Sequence, residues 1–173
     1  MSEIDKKHPL YVMFREIVQT AVKAELPGRS LDDVEDYVTG LLIQFVQTEQ
    51  LFAIRDPFGR PLTSIYEMLG EADVLLNADS FERERQVHKH IGDYILFWTG
   101  VNPDFLNRIK LDDGRDLVCD YTRQGKESYH VVSTFDYSPY DSEAPVFRKL
   151  SEGFEGIAYA LGHVRRHLPF NAA

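Results

Sequence analysis

Residues 80–100 read SFERERQVHKHIGDYILFWTG, and their pattern indicates the fold class. Its apolar side chains recur at steps of three and four residues, which places them on one face of an α-helix. Ser80 is a favourable N-cap, and Gly100 is a favourable stop signal. The sequence therefore predicts a helix through Trp98 whose inner face carries Val87, Ile91, Tyr94, Ile95 and Trp98.

The same helical period recurs on both sides of this stretch. A first helix is predicted to begin at Pro9, and Ser30 is predicted to cap a second. The segment 115–135 is expected to hold a long helix, although its Tyr, Val and Thr residues would also tolerate a strand. The remaining predicted helices have apolar stripes at 65–76, 105–109 and 147–168.

Between residues 52 and 62 the helical period disappears. Asp56-Pro57-Phe58-Gly59 has the residue pattern of a type I turn, so its flanks are predicted to pair as a tiny β-ribbon. Short connections between amphipathic helices favour antiparallel neighbours. We therefore predict that residues 1–173 form a single all-α domain, a compact bundle of about five or six helices with at most this one ribbon.

The composition is acidic, with 28 Asp and Glu against 19 Lys and Arg and a net charge of −9. Such a chain repels duplex nucleic acid and anionic membranes on average, so neither is an expected partner. No stretch approaches the roughly 20 apolar residues that span a bilayer. Cys119 is the one cysteine, which excludes an intrachain disulfide, and no secretory signal is visible. The expected compartment is therefore the cytoplasm.

Glu84 and His88 extend the apolar stripe of residues 87–98 by one turn. Because they are four residues apart, their side chains are expected on one face, pointing inward. A carboxylate and an imidazole on the inner face of a bundle are possible ligands for a metal ion. The alternative is a structural Glu–His hydrogen bond, or an ion pair with an arginine of another helix, because ion-pair networks often imitate functional sites.

His163 and His167 have the same spacing in the last helix. Two imidazoles four residues apart can chelate one zinc or iron ion, although Val164 stands where the zinc hydrolase pattern requires Glu. The alternative is that protonated histidines near a helix C-terminus complement the helix dipole. If the two helices pack side by side, Glu84, His88, His163 and His167 form a hypothetical metal site for iron or zinc.

Three further features have simpler interpretations. His90 is expected to face solvent, among Arg83, Lys89 and Asp93. Cys119 has no nearby feature that would lower its pKa, so it is interpreted as a packing residue. The loop with Tyr137 and Tyr140 is expected to line a pocket or a dimer surface, since tyrosine is enriched at interfaces.

Three functions are consistent with these patterns, of which the third is a helical pocket for a small apolar ligand. The first is a non-catalytic helical module that acts by binding a protein partner or by self-association, which the absence of a strong catalytic motif favours. The second is a metal- or cofactor-binding bundle, for example an oxidoreductase, that uses Glu84 and His88 with His163 and His167.

Overall fold

A computed structural model of the protein describes residues 5–46, 53–73, 78–116 and 119–167. These residues form α-helices and no strand longer than one bridge. The all-α prediction is therefore confirmed, with eight α-helices in the described residues instead of five or six. None of these helices is long and apolar enough to cross a membrane. The helices are α1 (Pro9–Glu25), α2 (Asp32–Val46), α3 (Ile65–Ala72), α4 (Phe81–Val101), α5 (Pro103–Asp113), α6 (Tyr121–Ser133), α7 (Ala144–Glu152) and α8 (Phe154–Val164), and a 3₁₀ turn, Arg165–His167, follows α8.

Two of the predicted helix starts are formed as the local chemistry indicates, and a third is not. Pro9 is the first residue of α1, and the Ser80 hydroxyl accepts a hydrogen bond from the Arg83 N–H at the start of α4. The prediction that Ser30 caps α2 is wrong. Helix α2 begins at Asp32, so the residue at the N-cap position is Leu31. The Leu31 carbonyl accepts the first helical hydrogen bond of α2.

The predicted β-ribbon is a single antiparallel bridge between Arg55 and Pro61. The turn between them is formed as predicted, since the Gly59 N–H donates to the Asp56 carbonyl at 2.9 Å. Phe52, the first residue of the predicted ribbon, lies outside the described residues.

Helix α4 is the centre of the bundle. It packs against α2, α3, α5, α6 and α8, so its second half is buried on nearly every side. The prediction that Gly100 ends this helix is wrong, because α4 continues through Gly100 to Val101. A Cβ at position 100 would lie 2.4 Å from the Leu161 Cβ, so the glycine allows α8 to approach α4 closely.

A buried aspartate fastens α3 to the rest of the bundle. Asp116, which is 1% exposed, accepts hydrogen bonds from the Ser64 hydroxyl and from the backbone N–H groups of Ile65 and Tyr66. It also accepts one from the Tyr121 hydroxyl at 3.0 Å. A carboxylate at a helix N-terminus satisfies free N–H groups and complements the helix dipole. This contact joins the loop after α5 to a helix some 50 residues earlier in the chain.

The single long helix predicted up to Leu168 is wrong, because Gly153 divides it into α7 and α8. The two halves have different neighbours: α7 packs against α6 and α2, whereas α8 packs against α1 and α4. One straight helix would not reach both pairs, so the break lets each apolar face be buried. Leu168 itself lies outside the described residues.

Candidate functional site

Glu84 and His88 lie on α4, but they do not bind each other. The His88 Nδ1 lies 3.2 Å from the Oγ of Ser128 on α6, and no hydrogen bond or ion pair joins His88 to Glu84. Gln124 donates a second hydrogen bond to the same Ser128 oxygen at 3.3 Å. Burial lowers the pKa of His88, because desolvation disfavours the imidazolium. The predicted Glu84–His88 hydrogen bond is therefore replaced by a contact between α4 and α6.

His163 and His167 also have separate surroundings. The His163 Nε2 lies 3.3 Å from the Glu25 carboxylate of α1, and its ring stands edge-on to Tyr159. His167 is exposed in the 3₁₀ turn. Within the described ranges, no group of three or more His, Cys, Asp or Glu side chains could hold a metal ion. The hypothesis of iron or zinc on Glu84, His88, His163 and His167 stays a prediction, and metal analysis of protein purified without chelators is its test.

His90 corrects a second expectation. It is 8% exposed and packs against the rings of Phe45 and Tyr94, so the prediction that it faces solvent is wrong. The neighbouring Asp93, which was expected on the same solvent face, is 4% exposed. The reason is the central position of α4. Other helices cover the faces that would be exposed to solvent in an amphipathic helix at the surface.

Asp93 forms a polar junction among three helices. Its Oδ1 accepts hydrogen bonds from the hydroxyls of Tyr37 on α2, at 2.7 Å, and Tyr129 on α6, at 2.8 Å. Its Oδ2 accepts one from the Lys89 ammonium at 3.1 Å. Burial, and then the charge of Asp93, raise the pKa of both phenols well above its ordinary value. Both tyrosines are therefore donors to the carboxylate over the whole range of working pH.

Arg85, two turns before Asp93, fastens the loop that precedes α7. Its side chain is largely buried, and its Nη2 lies 2.6 Å from the Glu143 carboxylate. The guanidinium carbon is 4.0 Å from the centre of the Tyr140 ring, a cation–π distance. Tyr140 also lies beside Glu82 in the first turn of α4, and partial desolvation together with the charge of Glu82 raises the pKa of its phenol.

We define the acidic loop surface as residues 134–143 together with Phe81 and Glu82. The loop has three carboxylates and no Lys, Arg or His in its sequence, TFDYSPYDSE. Tyr137 is 53% exposed and Phe81 is 68% exposed, so aromatic rings reach solvent beside these charges. Asp136 and Asp141 are exposed and have no basic partner among the described residues. The surface thus combines aromatic contact area with uncompensated negative charge.

The sequence identifies part of this region. It predicts a pocket or a dimer surface at Tyr137 and Tyr140, but it predicts neither the Arg85 contact nor the Asp93 junction. Arg85 and Asp93 are eight residues apart and so lie near one face of α4, which was a usable signal. Their partners on other helices are visible only in the fold.

Cys119 packs against the core and is not activated. Burial, followed by the charge of Asp116, raises the pKa of its thiol to about 11. Because the thiolate is the nucleophile, this environment makes Cys119 unreactive near neutral pH.

Comparison with protein-family models, with curated proteins and with solved structures found no match to the chain. The fold and the site geometry therefore define the protein as an all-α helical bundle with an acidic, aromatic surface loop.

Proposed function

We propose that the protein is a non-catalytic binding module that holds a basic segment of another protein on the acidic loop surface. The observation that carries this proposal is the exposed Tyr137 on an acidic loop that Arg85 anchors to the bundle. Tyrosine supplies a large, amphipathic contact area and is enriched at protein interfaces.

Contacts within the loop hold its side chains in place. The Tyr137 ring lies 5.9 Å from Phe135 and 6.3 Å from Tyr140, measured between ring centres. The Tyr140 N–H also donates to the Tyr137 carbonyl at 2.7 Å, which closes a turn. A surface that is fixed in advance loses less conformational entropy on association, so more of its contact energy appears as affinity.

The charge of the surface selects the partner. Asp136, Asp141 and Glu82 attract Lys and Arg side chains, whose association is accelerated by charge complementarity. A second copy of this chain would bring the same carboxylates face to face, and its net charge of −9 adds to the repulsion. We therefore propose a basic partner protein instead of a homodimer through this surface. Phe81 supplies an apolar contact at its edge.

The test compares the surface with matched positions elsewhere. Tyr137→Ser removes the central ring, and Asp136→Asn with Asp141→Asn removes two charges. Tyr66→Ser is the control for the first, since Tyr66 is 68% exposed on α3. Glu16→Gln with Asp104→Asn is the charge control on exposed positions of α1 and α5. Proteins captured by the full chain are identified, purified and titrated against all five forms.

If the proposal holds, the captured protein has a basic surface. In purified form it should bind the wild type and both control variants with equal affinity. Its affinity should fall by about tenfold or more in each loop variant, and it should weaken as salt is added. Equal binding by wild type and both loop variants would contradict the proposal. So would a partner whose affinity does not depend on salt.

A further inference from the structure

A cleft of about 430 Å³ runs along one side of α8, away from the acidic loop surface. Its walls come from α8, the end of α4, and the first residues of α5 and α6. Its volume falls within the range of small-molecule sites in proteins. We call it the α8 cleft, and its lining includes Thr99, Pro103, Thr122, Tyr159, Gly162 and Arg166.

Gly162 lines this cleft without a structural reason to be glycine. A Cβ at position 162 would meet only the Gly100 carbonyl oxygen, at an ordinary 3.7 Å. Its φ is not positive, so the backbone does not require glycine either. Glycine inside a helix is the poorest helix former except proline. Because glycine has no side chain, the wall of the cleft is open at position 162.

Basic groups stand at the C-terminal end of the cleft, and the carboxylate that also lines it, Glu155, is bound to the Lys126 ammonium at 2.8 Å. Arg166 forms no ion pair or hydrogen bond in the described part of the chain, and His163, which is bound to Glu25, lies beside it. Thr122 lies in the first turn of α6, where the helix dipole contributes positive potential. The dipole of α8 accounts for basic residues at its C-terminus, but it does not account for the open space at Gly162.

We propose that the α8 cleft binds a small organic anion. The apolar part of the ligand lies over Gly162 and beside Tyr159, and the anionic group lies at Arg166. The Thr99 and Thr122 hydroxyls, which make no hydrogen bond among the described residues, supply further donors. This site is independent of the proposed protein interface, since the two surfaces share no residue.

The test titrates the full chain with phenyl phosphate by calorimetry and by amide NMR shifts. Phenol and inorganic phosphate are titrated in parallel, because each has only one half of the proposed ligand chemistry. Gly162→Leu fills the cleft, and Gly162→Ala is a milder variant in case the larger side chain disturbs folding. Gly40→Leu is the control, since a Cβ at position 40 meets nothing within 4 Å and Gly40 lies outside the cleft.

Arg166→Gln removes the cation, and Arg148→Gln makes the same change at an exposed position of α7. We expect saturable binding of phenyl phosphate, with shifts at Thr99 and Gly162, and weaker binding of phenol and phosphate. Affinity should fall by about tenfold or more in Gly162→Leu and in Arg166→Gln, because an apolar contact and a charge-assisted hydrogen bond are lost. No saturable binding, or equal losses in the control variants, would overturn the proposal.

Discussion

The hydroxyl of Tyr129 donates to the Oδ1 of Asp93 at 2.8 Å, inside the bundle where both side chains are almost fully buried. This bond joins α6 to α4, and the Tyr37 hydroxyl adds α2 to the same carboxylate. A buried carboxylate is costly unless donors surround it, so each hydroxyl stabilises the folded state by keeping Asp93 satisfied.

Tyr129→Phe tests this junction, because it removes the hydroxyl and keeps the ring that packs against Gly92. We expect a loss of about 1–3 kcal/mol in the free energy of unfolding, measured by urea denaturation. Tyr66→Phe on the exposed face of α3 is the control and should change it by less than about 0.5 kcal/mol. Equal effects of the two changes would show that the Asp93 junction contributes nothing specific.

The amphipathic pattern predicted the helices well where one face of a helix meets the core. The amphipathic pattern did not predict the burial of α4 correctly. This pattern assigns polar side chains to a solvent-facing side, whereas a helix surrounded by other helices buries some of them. His90 and Asp93 were misplaced for this reason. The break at Gly153 was missed because the apolar period continues through it, and only the different neighbours of α7 and α8 explain it.

The partners of the candidate site residues could not be predicted from the sequence, for a different reason. The spacing of Glu84 and His88 predicts that both lie on one face of α4, but a hydrogen-bond partner such as Ser128 depends on how α4 and α6 pack. Asp116 is a clearer case, since its partners at Ser64 and Ile65 are about 50 residues away in sequence. Local patterns identify side chains that are able to bind or react, whereas tertiary packing determines which groups they contact.

Arg85→Lys should loosen the loop that carries Tyr137. Lysine keeps the charge but loses the planar group that stacks on Tyr140 and binds Glu143. We expect faster hydrogen exchange at the Tyr140 and Ala144 amides, which donate to carbonyls within this loop region. Arg123→Lys, at an exposed pair on α6, is the control and should leave these amides unchanged. Unchanged exchange in Arg85→Lys would show that other contacts hold the loop.

Gly100→Ala should destabilise the protein, whereas Gly162→Ala should not. The added methyl group at position 100 would collide with Leu161, and such overpacking costs about 1–3 kcal/mol. At position 162 the methyl group has room, so the better helix propensity of alanine should stabilise the fold by up to about 1 kcal/mol. Thermal and urea unfolding of both variants, with Gly40→Ala as reference, measure the difference. A stable Gly100→Ala variant would contradict the close approach of α4 and α8.

Cys119 should react slowly with thiol reagents. With a pKa of about 11, only about one thiol in a thousand is ionised at pH 8. We expect alkylation by iodoacetamide to be at least about a hundredfold slower than for glutathione at this pH, since burial also hinders access. The rate should rise about tenfold for each pH unit up to the pKa. A rate equal to that of glutathione, measured by mass spectrometry, would contradict the partly buried position and the raised pKa of the thiol.

His88 should make the stability of the protein depend on pH near neutrality. Its pKa is lowered in the folded state, so the unfolded chain binds the proton more readily. The stability associated with neutral His88 is therefore present above the unfolded pKa of about 6.5 and is lost as the pH falls below it. The pKa of Asp36 is also lowered in the folded state. The stability that its ionised form contributes is lost only as the pH falls below the ordinary Asp pKa of about 3.9.

His88→Asn removes this dependence and allows it to be measured. We expect the free energy of unfolding of the wild type to fall more between pH 7 and pH 5 than that of His88→Asn, when both are followed by urea denaturation. His130→Asn, at an exposed position of α6, is the control and should behave as the wild type does. If His88→Asn kept the full pH dependence, the burial of this imidazole against Ser128 would be contradicted. A loss that appears only below pH 4 would assign the effect to carboxylates such as Asp36 instead.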